Sequence, residues 1–284
     1  LQEVPVVRTP PIVRAGGALA TVVEFFTASE RREGWRRFFS SPLDIITMTL
    51  QLNVTTHSFT DCRAQAVALT ERIAEQLRRG IAERGHASLA VSGGSTPKDL
   101  FERLSREPLD WSSVQVTLVD ERWVEVDDER SNARMVKALL LQNAAAAAHF
   151  VPLYTGDATP EDGLSVANER IGALPLPFDA VVLGMGEDGH TASFFPGGDN
   201  LHEALDLGGT SRVLPMRAPG AGEPRITLTL PTLLDTRALY LLVSGEKKQH
   251  VLADARLGLG EAQHYPVRAV LTQQRVPLAV YWCP

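Results

Sequence analysis

From residue 61 onward, short apolar segments alternate with segments of helical periodicity. This alternation constrains the fold of the 284-residue chain more than any other feature. Asp61 is placed to cap a long amphipathic helix in which Ala66, Leu69, Ile73, Ala74 and Leu77 recur at helical spacing. Residues 86–91 form a short apolar run that enters Ser92-Gly93-Gly94-Ser95-Thr96-Pro97, and a helix carrying Leu100, Phe101 and Leu104 starts near Pro97. The pattern continues with strands predicted at 114–119, 149–153 and 178–183 and helices at 131–141 and 160–171. Further apolar runs lie at 213–216, 226–230, 238–243 and 278–282, with a helix at 246–255. Such alternation predicts an α/β fold with a mainly parallel sheet and helices on both faces. The alanine run 144–148 reads as a helix end, and no internal repeat is visible.

Residues 1–47 break the pattern. They contain Pro10-Pro11, Gly16-Gly17 and one short helical stretch with Ser29 as its cap, but no alternation of strand and helix. The first methionine is Met48. The expectation is an N-terminal extension, disordered or from a non-native start and without a catalytic part, followed by one α/β domain at 48–284.

Charge and composition exclude several classes. Lys and Arg number 28 against 34 Asp and Glu, a net charge of −6, so no basic surface for a nucleic-acid partner is expected. A local anion site needs only a few cations and remains open. The histidines show no HxxxH or Cys/His ligand spacing, so no metal is expected. No apolar run approaches the ~18 residues of a membrane span. Ala18 to Phe26 contains Glu24 and precedes an arginine-rich stretch, the reverse of a secretory signal. Cys62 and Cys283 form no CxxC motif, which predicts a reduced, cytoplasmic protein. Monomer and dimer are equally compatible with the sequence.

Three loops carry the chemistry. Ser92 to Pro97 joins a strand to a helix; its two glycines admit a ligand close to the backbone, and Ser92, Ser95 and Thr96 offer hydroxyls. Together with the helix start these suit a phosphate, although the same residues would serve an ordinary strand-to-helix turn. The loop is neither a Walker loop nor GxGxxG. The next strand ends in Asp120-Glu121-Arg122, at the carboxyl end where open α/β sheets bind ligands. Asp127, Asp128 and Glu129 read as a solvated acidic loop, with Ser131 as a helix cap. Last, the strand at 178–183 feeds Gly184-Met185-Gly186-Glu187-Asp188-Gly189-His190-Thr191. An imidazole titrates near neutrality and can act as a general base, with Asp188 orienting it.

In this order and spacing, SGGSTP at 92–97, DERWV at 120–124, SN at 131–132, GMGEDGHTASFFP at 184–196, RITLTLP at 225–231 and SGEKK at 244–248 resemble the 6-phosphogluconolactonase family. The likeness extends from about Met48 to the C-terminus. It implies a modified Rossmann-like fold shared with glucosamine- and galactosamine-6-phosphate isomerases. It also implies hydrolysis of 6-phospho-D-glucono-1,5-lactone in the oxidative pentose phosphate pathway, with no organic cofactor and no catalytic metal. Carried over by residue, Ser92, Gly93, Gly94, Ser95 and Thr96 would cradle the phosphate of a small phosphorylated sugar lactone. Lys248 would add a positive charge, with Lys247 as the alternative. Asp120, Arg122 and Arg225 would meet the sugar or lactone, and Arg122 or Arg225 would stabilise the oxyanion. His190 would be the base on the attacking water, with Asp188 behind it.

Two other readings are weighed against this one. A glucosamine-6-phosphate deaminase resembles GHIAFNEP, with a glutamate five residues after the histidine; that offset here is Phe195, which cannot relay a proton. A sugar-phosphate-sensing regulator would need a DNA-binding element in residues 1–47, where two helices joined by a short turn are not evident.

Overall fold

Apolar runs bounded by turn residues form the strands, and the periodic segments between them form the helices. The computed structural model describes residues 53–284; the extension at 1–47, its Ser29-capped helix and the boundary at Met48 lie outside the described residues. The first half runs β1 (Val54–Ser58), α1 (Cys62–Arg84), β2 (Ala87–Val91), α2 (Lys98–Leu104), β3 (Val114–Leu118), β4 (Asp120–Arg122), α3 (Asn132–Leu139), β5 (His149–Val151) and α4 (Leu164–Gly172). Then follow β6 (Ala180–Leu183), α5 (Leu201–Leu205), β7 (Val213–Met216), β8 (Arg225–Leu228), α6 (Leu230–Leu234), β9 (Leu239–Ser244), α7 (Glu246–Leu257), α8 (Val267–Thr272) and β10 (Leu278–Cys283).

Seven strands form a parallel sheet in the order β1-β10-β9-β6-β2-β3-β5. Every residue of β2 and β6 is buried, as is all of β9 except Ser244. Strands with no exposed side mean a sheet covered on both faces, as the alternation predicted. Helix α1 begins where Asp61 Oδ1 accepts the Ala64 N–H at 2.8 Å. Its predicted stripe of Ala66, Leu69, Ile73, Ala74 and Leu77 is buried.

Succession along the sheet reverses at β2. From there the chain order runs β3, β5 on one side and β6, β9, β10 on the other. The crevice at such a reversal, beyond the carboxyl ends of the strands, is where an open α/β sheet can admit a ligand. Beside it, the chain leaves β3 through Val119, which donates to Val91 O at 2.9 Å and accepts from Leu228 N at 2.8 Å. It thereby passes into a second, antiparallel sheet, β4-β8-β7.

Three expectations are corrected. The helix expected at 160–171 starts at Leu164, because Thr159 and Asp162 hydrogen-bond each other in a turn ahead of it. The alanine run is a 3₁₀ turn at Asn143–Ala147 rather than a helix end. Cys62 and Cys283 are not reduced thiols but a disulfide, with Cα atoms 5.1 Å apart at a sequence separation of 221. The cause is topological. β1 and β10 are parallel partners, with Ser58 opposite Trp282, so the start of α1 lies beside the end of β10. Among the described residues, no helix is long and apolar enough to cross a membrane.

Candidate active site

Four neighbouring strands deliver the site from their carboxyl ends: Ser92–Thr96 after β2, Asp120–Arg122 after β3, Gly184–His190 after β6, and Lys248 after β9. They surround a cavity of about 270 Å³. All the predicted site residues line it except Asp188, which stands behind His190. Lys248 is in the cavity wall, whereas Lys247 is exposed.

The loop after β2 is held at both ends. Ser92 N donates to Val182 O at 3.0 Å, and the hydroxyls of Thr96 and Ser244 lie 3.1 Å apart. Gly93 is required by proximity: a Cβ there would lie 1.8 Å from Asn132 Oδ1.

The loop after β6 folds tightly, with Gly186 N donating to His190 O at 2.9 Å and Gly189 N to Gly186 O at 3.2 Å. A Cβ on Gly186 would stand 2.2 Å from His190 Nδ1, so only glycine leaves room for the ring. Nδ1 lies 2.6 Å from Asp188 Oδ1. Burial pushes the Asp188 carboxyl up, but the hydrogen bond and charge of His190 outweigh it, and the net shift is down. An ionised carboxylate only accepts, so Nδ1 carries a proton, and in the neutral ring the lone pair then lies on Nε2.

Asp120 is buried and accepts the Ser193 hydroxyl on Oδ2 at 2.6 Å; Arg225 Nη1 approaches the same oxygen at 3.9 Å. Arg225 is itself buried and donates from Nη2 to Ala221 O at 2.6 Å. Burial pulls its pKa down, against the charge of Asp120. Its guanidinium lies over the Phe195 ring at 5.3 Å, and that ring is 4.4 Å from the ring of His190. Arg122 and Arg225 are directly opposed on β4 and β8. Like charges at opposed positions destabilise a strand pair. Each also keeps a buried Nε with no hydrogen-bond partner. Two adjacent cations with unused donors beside a cavity are suited to an anion or a developing negative oxygen.

Sequence reasoning gave Asn132 no role, yet it lines the cavity and donates from Nδ2 to Asp120 O at 3.0 Å. It also passed over Ser193, took Glu121 only as one of three charges at the strand end that could meet a ligand, and considered Phe195 only as a missing carboxylate. The signal is not local: Asn132 and Ser193 reach Asp120, and Glu121 holds Ser131, Asn132 and Ala133, all ten or more residues away. Among the described residues, no three His, Cys, Asp or Glu side chains cluster as metal ligands.

Known proteins share this arrangement of elements. The family model described as glucosamine-6-phosphate isomerases/6-phosphogluconolactonase matches residues 60–282. A protein of Rhizobium meliloti strain 1021 named 6-phosphogluconolactonase is 51% identical over 228 residues, which cover 80% of this chain and 98% of that protein. One of the same name from Pseudomonas aeruginosa is 44% identical, over 78% of this chain and 91% of its own. The crystal structure of a 6-phosphogluconolactonase from Shewanella baltica superposes with a TM-score of 0.77 at 42% identity, over 81% of this chain and 98% of that one.

Proposed function

The chain belongs to the glucosamine-6-phosphate isomerase/6-phosphogluconolactonase family, and from that premise we propose how its cavity performs the reaction. The activity is hydrolysis of 6-phospho-D-glucono-1,5-lactone to 6-phosphogluconate, as in relatives matched over nearly their whole length. The observation that carries the mechanism is the imidazole of His190, held by Asp188 on one nitrogen and bordering a cavity that also holds Arg122, Arg225 and Lys248.

In the proposed binding mode, Ser92 to Thr96 and Lys248 take the substrate phosphate. The lactone end reaches across to Asp120, Arg122 and Arg225. His190 Nε2 removes a proton from water as the water oxygen bonds to the lactone carbonyl carbon. The carbonyl oxygen becomes negative beside the two arginines, whose guanidinium groups stabilise it. When the tetrahedral intermediate collapses, the bond from that carbon to the ring oxygen breaks. The ring oxygen leaves as the hydroxyl of the open acid, taking up a proton that the imidazolium can return. A lactone carbonyl is already electrophilic, so orientation and charge stabilisation supply most of what is needed.

We assign the whole site to the segment that follows Met48, since the residues used lie between Ser92 and Lys248. The assigned compartment is the cytoplasm, on the metabolic activity of the relatives. A disulfide is unusual there, so cell fractionation with a thiol count tests that assignment.

The assay follows lactone disappearance, corrected for spontaneous hydrolysis, for the full chain and for a version starting at Met48. Glucosamine 6-phosphate serves as control. Expected are lactone turnover by both proteins and no ammonia from the control. Ammonia without lactone turnover would overturn the reaction assigned, and activity confined to the full chain would overturn the boundary.

A further inference from the structure

Glu121 is the most fully enclosed acid near the cavity, 1% exposed, and no cation pairs with it among the described residues. Its carboxylate is satisfied by four donors. Oε1 accepts Arg122 N at 2.8 Å and Asn132 N at 2.7 Å; Oε2 accepts Ala133 N at 2.7 Å and Ser131 Oγ at 3.2 Å. Burial still pushes its pKa up, against those backbone hydrogen bonds. A carboxylate this enclosed is costly unless its lone pairs are all used. Here they are used to join two segments separated by the exposed 125–130 loop.

The consequence reaches both ends of the cavity. One oxygen holds the backbone of Arg122, whose side chain faces the lactone end in the binding mode above. The same oxygen holds the backbone of Asn132. The Asn132 side chain abuts Gly93 in the phosphate loop and donates to Asp120 O. Loop, helix start and strand end therefore share one anchor.

We propose that Glu121 is a positioning residue which, through the start of α3 and Asn132, keeps the phosphate-binding loop in register with Arg122. The proposal rests on the binding mode argued above, in which Ser92 to Thr96 take the phosphate. Glu121 touches no substrate. A glutamine keeps its shape but presents N–H to backbone donors on one side, which breaks the brace at one oxygen.

The test uses the full chain with Glu121→Gln, Asn132→Ala and the double variant. Each is checked for folding by thermal melting, then assayed for kcat, KM and the inhibition constant of inorganic phosphate, which probes anion binding without the sugar. Glu121→Gln should weaken phosphate inhibition by about tenfold and lower kcat by about tenfold, the size expected when a hydrogen bond to a charged group is lost. Asn132→Ala should weaken phosphate inhibition similarly and lower kcat less. The double variant should bind phosphate no worse than the weaker single one, since both act through one path. Unchanged phosphate inhibition in folded Glu121→Gln, or additive losses in the double variant, would overturn the brace. Should Glu121→Gln fail to fold, unchanged phosphate inhibition in Asn132→Ala overturns it alone. If the unaltered protein turns over lactone but is not inhibited by phosphate, the phosphate-loop reading fails first and takes the brace with it. Inhibition of the unaltered protein with unaffected variants sinks only the brace.

Discussion

At the level of single residues, His190 and Gly186 form one unit, because the ring occupies the space that a side chain at 186 would fill. His190→Ala should lower kcat by about 10²–10⁴-fold, the range for a positioned acid–base group. Near-normal turnover in that variant would remove His190 from the mechanism. Gly186→Ala should lower kcat with little change in KM, since it displaces the ring and leaves the phosphate loop alone. A variant in which KM alone rises would contradict this. Lys248→Ala should act the other way, raising KM more than it lowers kcat, because a compact charge on the phosphate binds substrate and transition state alike. The residues of these predictions were legible because each sits in a short glycine- or charge-marked segment at a strand end. Asn132 and Ser193 were not, and Glu121 was legible only as a charge at a strand end, not as an anchor. Their work consists of bonds to Asp120 and the start of α3 and of close packing against Gly93, and nothing in the neighbouring sequence announces these partners, which the fold brings in.

Elements show the same division. Long periodic segments were readable: α1 has its Asp61 cap and its buried stripe. The parallel sheet was readable because fully buried strands are continuous apolar runs. The small sheet β4-β8-β7 was readable only in part: the apolar runs at 213–216 and 226–230 mark β7 and β8, but strands of three or four residues offer too few positions to show that they pair with β4 apart from the main sheet. It is nevertheless the element that sets Arg122 opposite Arg225. Its outer strand, β7, leads into Arg217, whose two terminal nitrogens pair with both carboxylate oxygens of Glu161 ahead of α4. That hydrogen bonding holds the Glu161 pKa at about 2 instead of the ordinary 4.5, despite some burial. A pKa lowered by folding gives stability that is present above the unfolded value and lost as pH falls through the folded one. The clasp should therefore be complete above about pH 4.5 and disappear toward about pH 2. Both side chains are nearly half exposed, so its worth at neutral pH is within about 1 kcal/mol. Urea midpoints of the unaltered protein and Glu161→Gln, taken from neutral pH downward, should converge in that window. A constant gap would show that the effect is not the ion pair.

On the scale of the molecule, the disulfide joins the first residue of α1 to the last residue of β10 and so closes nearly the whole described chain into one loop. Closing a loop of this length removes much of the unfolded chain's freedom, and such bonds typically stabilise by about 2–5 kcal/mol. It also secures β1, an edge strand otherwise held by its ladder with β10 and by Arg256 Nη2 donating to Thr56 Oγ1 at 2.6 Å. The site is close by: Cys283 pairs with Ser244 across the sheet, and Cys283 O accepts Gly245 N at 2.9 Å, just ahead of the helix that carries Lys248. Those are backbone bonds that do not need the sulfurs joined, and Ser244 keeps its hydroxyl beside Thr96 in either state. Stability and catalysis should therefore separate. In Cys62→Ala/Cys283→Ala, the guanidinium midpoint should fall by an amount matching about 2–5 kcal/mol, while kcat and KM at 25 °C stay within about twofold. A thiol titration of the unaltered protein, denatured without reductant, should find no free thiol. Two free thiols would show that the bond is not made. An unchanged midpoint with the bond present would mean that the parallel ladder and the Arg256–Thr56 hydrogen bond hold β1 without it, and that the constraint on the unfolded chain is offset elsewhere.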